Sequence, residues 1–327
     1  MMAILDEMRA QLTRVFHAGH GATTLAVSGT GTSGLETVVA NLVEPGKNAL
    51  VIVTGYFGDR LAQVLTRYGC DVTRLDVEWG RSVDPGDVRR ALSAKRADIV
   101  GVVHAETSTG VRNPIEDIAA IAREHDALTM VDAVTSLGAM PLDVNAWGID
   151  ACFSCSQKGL GAPSGLAPVV FSARALQRRV ACRSFYLDLG LLEDYWVRRK
   201  YHHTISAPLV YALFAALQEV EEEGLPARWQ RHEHHHLALV EALGALGLTW
   251  LPAPADRLWS LNTVRVPAGV DEAAVRRQFL ESHGIEIGAG LGPLAGKIWR
   301  IGLMGSGSTM ASVTRLTDAF ADALGRR

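Results

Sequence analysis

The sequence has 327 residues, of which 48% are apolar and 20% are charged, and its formal net charge is −3. This length is sufficient for one large domain and a smaller one, each with its own hydrophobic core. The near balance of charges leaves no broad basic surface, which excludes nucleic acid as a main partner. No apolar run approaches the ~18–20 residues of a membrane-spanning helix, and we expect no membrane partner.

The amino end, MMAILDEMRAQL, has charged residues at helical spacing and no apolar signal core. It predicts an amphipathic helix at the start of a cytoplasmic protein. Four cysteines do not make a disulfide framework. Cys152 and Cys155 form a C-x-x-C pattern, but a strand would point them to opposite faces, so we interpret them as small buried residues.

Short apolar runs alternate with amphipathic stretches from residue 23 to residue 172. The seven predicted strands span 23–27, 49–53, 72–77, 98–105, 127–133, 149–154 and 167–172. Their apolar residues are continuous rather than alternating, which is typical of strands covered on both faces. This half of the chain therefore predicts an α/β fold with a mainly parallel central sheet flanked by helices.

The pattern changes after residue 206. Two long helical segments, 206–225 and 227–246, are followed by strand patterns in SLNTVRVP, IEIGAG and WRIGLMG and by helices around 271–282 and 309–325. These shorter elements predict a smaller C-terminal α+β domain. We place residues 1–223 in the large domain and residues 224–327 in the small one.

A segment rich in glycine and hydroxyls, SGTGTSG at residues 28–34, follows the first predicted strand and opens a helix. Free backbone N–H groups and the helix dipole favour an anion there, and a phosphate group is the natural ligand. The spacing Gly29-x-Gly31-x-x-Gly34 also fits the dinucleotide-binding fingerprint, but the next strand lacks the acidic residue expected about 20 positions later. An ordinary capped helix start is a second alternative.

Two ionisable residues follow later strands. Asp132 ends a predicted strand, at the sheet edge where open α/β folds bind ligands, and its carboxylate can pair with a protonated ring nitrogen. Lys158 lies 26 residues further on, among the small residues of CSQKGLGAPSG, and an amine kept from open water can react with an aldehyde. Taken singly, the aspartate is better explained as a turn cap and the lysine as a solvated loop residue. Together with the helix start, they match the phosphate, ring nitrogen and aldehyde of pyridoxal phosphate.

Longer segments carry a more specific signal. HAETSTGVRNPI, VDAVTSLGAMPLDVNAWGID, SQKGLGAPSG, SFYLDL, YHHT and GLGPLAGKIWRIGLMG occur in this order. They resemble class V (fold type I) pyridoxal phosphate aminotransferases, most of all the alanine–glyoxylate and serine–pyruvate group, over practically the whole chain. The resemblance implies that Lys158 holds the cofactor as a Schiff base and that Asp132 pairs with the pyridine nitrogen. It assigns the cofactor phosphate to four residues, Thr30, Gly31, Thr32 and Gln157.

The same resemblance implies five further roles. Phe57 would stack on the cofactor ring, and Thr107 would form a hydrogen bond near the ring hydroxyl. Arg300 would bind the substrate carboxylate with two parallel hydrogen bonds. Tyr201 and Thr204 would reach the phosphate of the partner subunit's cofactor, which implies a homodimer with shared active sites.

The implied reaction moves an amino group from alanine or serine to glyoxylate or pyruvate. A ureidoglycine–glyoxylate aminotransferase is an alternative, although that group tends to have Asn where Tyr201 stands. A non-catalytic cofactor-binding protein is another, because family members usually begin with a glycine-proline-rich segment, whereas this sequence opens on the following helix. A desulfurase would need a cysteine on a mobile loop near the site. We expect no metal, and we interpret the helical His232, His235 and His236 as a solvated face.

Overall fold

The computed structural model describes residues 2–325. The strands are β1 Thr23–Ser28, β2 Asn48–Val53, β3 Asp71–Asp76, β4 Ile99–Val103, β5 Ala105–Glu106, β6 Val111–Arg112, β7 Leu128–Asp132, β8 Ala151–Phe153, β9 Leu166–Phe171, β10 Leu261–Arg265, β11 Gly288–Ala289 and β12 Ile298–Gly302. The helices are α1 Met2–Val15, α2 Gly31–Leu42, α3 Tyr56–Arg67, α4 Pro85–Ala94, α5 Ile115–Glu124, α6 Ala173–Gln177, α7 Leu189–Trp196, α8 Ala207–Glu223, α9 Leu225–Ala245, α10 Glu272–His283 and α11 Met310–Ala323.

All seven strands predicted in the first half of the chain join one sheet, in the order β1-β9-β8-β7-β4-β2-β3. The inner strands β4, β7 and β9 are buried at every residue because helices cover both faces. Strand β9 runs antiparallel to its two neighbours, and the remaining pairs are parallel. The predicted α/β architecture with a mainly parallel sheet is confirmed.

The order of the strands decides where a ligand can bind. In the parallel register, Val103 at the end of β4 pairs with Asp132 at the end of β7, which pairs in turn with Phe153 at the end of β8. The carboxyl ends of these three strands therefore share one edge of the sheet. The turn from β1 into α2 and the loop after β8 approach the same edge, so residues far apart in sequence can meet there.

A second lobe begins after α8. Strands β10, β12 and β11 form an antiparallel sheet in that order, and helices α9, α10 and α11 pack with it. Its core is separate from that of the large sheet and includes Leu239, Trp250, Phe279, Trp299 and Phe320. This confirms the smaller α+β unit. The boundary near residue 223 remains a prediction.

The interpretation of the histidines on α9 as a solvated face was wrong. His232, His235 and His236 are all buried. Each ring makes a hydrogen bond, with the carbonyl of Arg228, the hydroxyl of Ser308 and the side chain of Asn262, respectively. A polar helix face can be buried when every ring finds a partner, and neutral imidazole offers both a donor and an acceptor.

A helix that spans a lipid bilayer must be both long and apolar. Between residues 2 and 325, no helix combines the length and the apolar character that a membrane span requires.

Candidate active site

A cavity of about 240 Å³ opens at the shared edge of β4, β7 and β8. Nine of the eleven predicted site residues line it: Thr30, Gly31, Thr32, Phe57, Thr107, Asp132, Gln157, Lys158 and Arg300. A larger groove of about 690 Å³ lies between the end of α1 and the α8–α9 junction. Its charged residues Arg14 and Glu221 pair with each other at 2.5 Å, so the groove offers little chemistry. The smaller cavity is the candidate active site.

Asp132 is the acid at the floor of the cavity. Its side chain is 9% exposed, and its Oδ1 accepts one hydrogen bond, from the N–H of Val134 at 2.8 Å. Burial raises the pKa of Asp132 to about 7, and the nearby Glu106 adds to the increase. A buried carboxylate with so little compensation favours a cationic partner, and a protonated ring nitrogen is one.

Lys158 and Gln157 lie in the loop that follows β8. Both are partly buried and line the cavity. Within residues 2–325, the Lys158 ammonium has neither an ion pair with an acid nor a hydrogen bond. The Oε1 atom of Gln157 is buried without a partner. The loop therefore presents an unpaired amine and an unpaired amide to the same space.

The start of α2 forms the anion-binding side of the cavity. Thr30 is the N-cap residue, but its hydroxyl does not cap the helix. In the described chain, the N–H groups of residues 30–32 have no protein acceptor. The first hydrogen bonds of the helix run from the N–H groups of Ser33 and Gly34 to the carbonyl of Thr30. A Cβ on Gly31 would lie 2.7 Å from Val134 Cγ2, so only glycine leaves this side open.

The aromatic side of the cavity depends on Glu106, which the sequence analysis missed. Glu106 is fully buried and accepts hydrogen bonds from the N–H groups of Phe57, Gly58 and Ser108. It thereby satisfies the start of α3 and fixes the backbone that carries the Phe57 ring. Burial nevertheless raises the pKa of Glu106. Its position in HAETSTG, directly before Thr107, was the available signal.

Thr107 and Arg300 also line the cavity. The Thr107 hydroxyl lies 2.7 Å from the hydroxyl of Thr135. Arg300 projects from β12 of the small lobe and donates from Nε to the carbonyl of Ala289 at 2.7 Å. Among the residues described, no carboxylate pairs with the Arg300 guanidinium, and burial lowers its pKa. A carboxylate from outside the chain would be a favourable partner.

Two further residues of the lining differ in importance. Arg60, also missed from the sequence, lies over the Phe57 ring at 5.0 Å and donates to the Thr32 hydroxyl at 3.4 Å. Cys155 is buried, and burial raises the pKa of its thiol to about 12. A thiol so rarely ionised is a poor nucleophile, which argues against the desulfurase alternative. Cys152 is buried as well, as the sequence predicted.

Tyr201 and Thr204 do not line this cavity. Tyr201 is 80% exposed, and its hydroxyl lies 3.3 Å from that of Thr204. The neighbouring His203 places its Nε2 atom 3.1 Å from the hydroxyl of Ser28, at the end of β1. The segment is thus connected to the strand that leads into α2, and the Tyr201 side chain is largely exposed to solvent.

The residues present fit pyridoxal phosphate. Three uncompensated features face one cavity: free amides at the start of α2, the buried Asp132 carboxylate with one hydrogen bond, and the unpaired Lys158 amine. They are complementary to a phosphate, a pyridinium nitrogen and an aldehyde. Gly31 keeps the phosphate side free of a side chain.

Comparison with known proteins gives the family. The aminotransferase class-V family matches residues 1–306. The (S)-ureidoglycine–glyoxylate transaminase of Bacillus subtilis is 38% identical over 302 residues, which cover 85% of this chain and 73% of that protein. The alanine–glyoxylate aminotransferase of Drosophila melanogaster is 33% identical over 333 residues, covering 99% and 84% of the two chains.

Solved structures agree with this result. An alanine–glyoxylate aminotransferase from Nostoc sp. has a TM-score of 0.96 and 44% identity, covering 99% of this chain and 87% of that one. The pyridoxamine–pyruvate aminotransferase of Mesorhizobium loti has a TM-score of 0.94 and 27% identity, covering 100% of this chain and 85% of the other. The chain therefore belongs to the aminotransferase class-V family and is a fold type I, pyridoxal phosphate-dependent transaminase.

Proposed function

We propose that this transaminase moves an amino group from alanine or serine to glyoxylate or pyruvate. The observation that carries the proposal is the Arg300 guanidinium, which has no carboxylate partner in the described chain and shares a cavity with Lys158 and Asp132. The other guanidinium of the lining, that of Arg60, donates to the Thr32 hydroxyl at the start of α2, so Arg300 is left as the cation for a single substrate carboxylate. The cavity has a volume of about 240 Å³ and must hold the cofactor as well as the substrate, which favours substrates with small side chains.

Within this proposal, Lys158 would hold the cofactor covalently through Nζ, and the free amides of residues 30–32 would hold its phosphate. When bound, the cofactor would supply a carbonyl for condensation with amines and a ring that withdraws electrons. Phe57 would stack on that ring. Asp132 would favour protonation of the ring nitrogen by offering an anion in a buried site, where low polarity strengthens an ion pair.

The substrate-directed steps belong to Arg300 and Lys158. Arg300 binds the substrate carboxylate and so fixes which bonds of the α-carbon face the lysine. The Nζ of Lys158 would accept the proton of the substrate α-carbon as a general base and would later donate a proton as a general acid. The buried residues around the cavity limit the access of water to Arg300 and Lys158.

We also propose that the working form is a cytoplasmic homodimer with shared sites. Phe185 and Tyr201 are 72% and 80% exposed, and an apolar surface of this kind favours a protein partner. Tyr201 and Thr204 would then reach the phosphate in the partner's cavity. All four cysteines are free, which is typical of proteins from a reducing compartment.

The ureidoglycine–glyoxylate reaction is the second candidate. It is favoured by the 38% identity with the Bacillus subtilis transaminase that carries this name. A half-reaction screen separates the candidates: protein loaded with cofactor is mixed with alanine, serine or ureidoglycine, and conversion of the cofactor to its amine form is followed by absorbance. Rapid conversion by alanine or serine supports the first proposal, and conversion by ureidoglycine alone replaces it with the second.

The role of Lys158 has its own test. Lys158→Ala should abolish covalent cofactor attachment, read by mass spectrometry after borohydride reduction, and should abolish turnover. Lys200→Ala, which changes an exposed lysine outside the cavity, is the matched control and should alter neither. Retention of the covalent adduct in Lys158→Ala would refute the assignment.

A further inference from the structure

The loop that carries Lys158 is contacted from the small lobe by side chains that lie outside the cavity. The loop turns tightly, with the N–H of Gly161 donating to the carbonyl of Lys158 at 3.0 Å. Its residues are small, and Gly159 has no room for a side chain, since a Cβ there would lie 2.2 Å from the carbonyl oxygen of Leu137. The position of the Lys158 backbone is therefore set by what packs on this turn.

Arg228 makes the most direct of these contacts. It lies in the first turn of α9 and is only 5% exposed. Its Nη1 pairs with Glu223 Oε2 at 2.6 Å, and its Nη2 donates to the carbonyl of Gly159 at 2.9 Å. One arm of a buried guanidinium thus ends on the Gly159–Leu160 peptide, one residue beyond Lys158. The other arm is anchored at the last residue of α8.

Gly305 makes a second contact with the same turn. Its φ is +60°, and a Cβ at this position would lie 3.1 Å from both the carbonyl oxygen of Lys158 and the Cα of Gly161. Its N–H donates to Nε2 of His232 at 3.0 Å, and Nδ1 of His232 donates to the carbonyl of Arg228 at 2.7 Å. Burial lowers the pKa of His232 to about 4, so the ring stays neutral and can serve both bonds near neutral pH.

A purely structural role explains this arrangement poorly. A buried charge is costly unless its donors are satisfied, and the Nε of Arg228 is buried without a partner. Glu223 would be served equally by Arg231, which already pairs with it at 2.5 Å. What Arg228 alone adds is the bond to Gly159. The cost of its burial is therefore offset at the lysine loop.

We propose that Arg228 is a positioning residue for Lys158, acting through the carbonyl of Gly159 and supported by Glu223. The inference rests on the proposed role of Lys158 in catalysis. A general base must be held within a fraction of an ångström of its target, and a displacement of about 1 Å can cost about 100-fold in rate. Loss of the Arg228 bond releases the turn and lets the Lys158 backbone shift.

The test compares Arg228→Met with Arg231→Met in the cofactor-loaded enzyme. Met keeps the length and apolar bulk of the arginine stem and removes its donors. Arg231 pairs with the same Glu223 and donates to the carbonyls of Gly305 and Ser308, but it makes no hydrogen bond to residues 158–161. It is therefore a control for the loss of one partly buried cation from α9.

We expect Arg228→Met to lower kcat about 10- to 100-fold while KM for the amino donor changes less than about threefold. The pH at which the visible absorbance of the lysine-bound cofactor changes should shift as well. Amide hydrogen exchange in a peptide spanning residues 156–162 should accelerate, with or without cofactor. Arg231→Met, which reaches the turn only through the carbonyl of Gly305, should change the exchange of this peptide and the absorbance titration by a small fraction of the Arg228→Met effect. Arg228→Lys should restore part of the lost kcat.

Unchanged kcat, unchanged absorbance titration and unchanged exchange at residues 156–162 in folded Arg228→Met would overturn the proposal, whatever its effect on thermal stability. If Arg228→Met does not fold, Glu223→Gln provides the same test by weakening the anchor of Arg228, with the same expected and contrary results. Failure of the proposed function would be seen separately, as retained covalent attachment in Lys158→Ala. The exchange measurement does not depend on turnover, so the two failures are distinguishable.

Discussion

The buried carboxylate of Asp132 makes the cofactor-free protein sensitive to pH in a way that can be calculated. Burial raises the pKa of this group from 3.8 to about 7. The unfolded chain holds Asp near its ordinary pKa of about 3.9, so below about pH 4 both states are protonated and no penalty exists. As the pH rises from about 4 to about 7, the unfolded state loses its proton first and the folded state loses stability.

The size of the effect follows from the shift. The shift of about three pKa units, at 1.36 kcal/mol each, lowers the free energy of unfolding by about 4 kcal/mol. This loss of stability is complete above about pH 7. Asp132→Asn removes the titration and keeps an oxygen for the N–H of Val134. The variant without cofactor should therefore be more stable than the wild type above about pH 7, with the difference vanishing toward about pH 4. Glu106 is present in both proteins, but its repulsion of the Asp132 carboxylate is lost in the variant and so forms part of the difference.

Urea unfolding of both cofactor-free proteins at several pH values measures this difference. The cofactor should reverse its sign, because a protonated ring nitrogen compensates the Asp132 carboxylate and cannot compensate an amide. We therefore also expect weaker cofactor binding and lower turnover in Asp132→Asn. Two results would refute the reasoning: parallel pH curves for the two cofactor-free proteins, or equal cofactor affinity.

Three other changes test separate parts of the site. Arg300→Gln should raise KM for both the amino and the oxo acid about 10- to 100-fold, with a smaller change in kcat, because a charge-assisted contact is lost. Steady-state kinetics in which the variant and the wild type have equal KM values would contradict this prediction. Gly31→Ala should weaken cofactor binding in a fluorescence titration, because its Cβ would lie 2.7 Å from Val134 Cγ2, whereas Gly244→Ala, with open space around it, should bind as the wild type does. Subunits carrying Lys158→Ala and subunits carrying Tyr201→Ala with Thr204→Ala, refolded together, should regain about a quarter of wild-type activity if sites are shared, and none if Tyr201 serves its own subunit.

The sheet could be predicted because its strands are buried on both faces. A continuous apolar run such as 49–53 has few other interpretations once helices flank it, and all seven predicted strands are present. The direction of each strand was not visible in the sequence, because β9 is as apolar as the parallel strands of the sheet and still runs antiparallel to both of its neighbours. The short β5–β6 hairpin was missed, since two residues in each strand carry no periodicity.

The sequence pointed to the candidate site only through a combination of features. Asp132, Lys158 and the segment 28–34 each have an ordinary explanation when taken singly, and only together do they match the groups of one cofactor. The roles of the remaining lining residues came from the family resemblance. Glu106 and Arg60 were missed because their importance arises only when α3 packs beside the loop after β4. The histidines of α9 were misjudged for the opposite reason: periodicity shows which residues share a face, and the partners that allow this face to be buried lie up to 73 residues away.

The charges of the cavity are arranged so that the ligands complete them. Glu106 is buried but is satisfied by N–H groups of the chain itself, so it serves the structure at any stage of the reaction. Asp132 and Arg300 have no ionic partner among the described residues, and burial disfavours the charged form of each. A ring cation beside Asp132 and a carboxylate beside Arg300 would remove both penalties at once. The binding energy of these two contacts can therefore hold the reacting α-carbon against Lys158. Without ligands, Asp132 and Arg300 have no partner that would remove the cost of burying their charges.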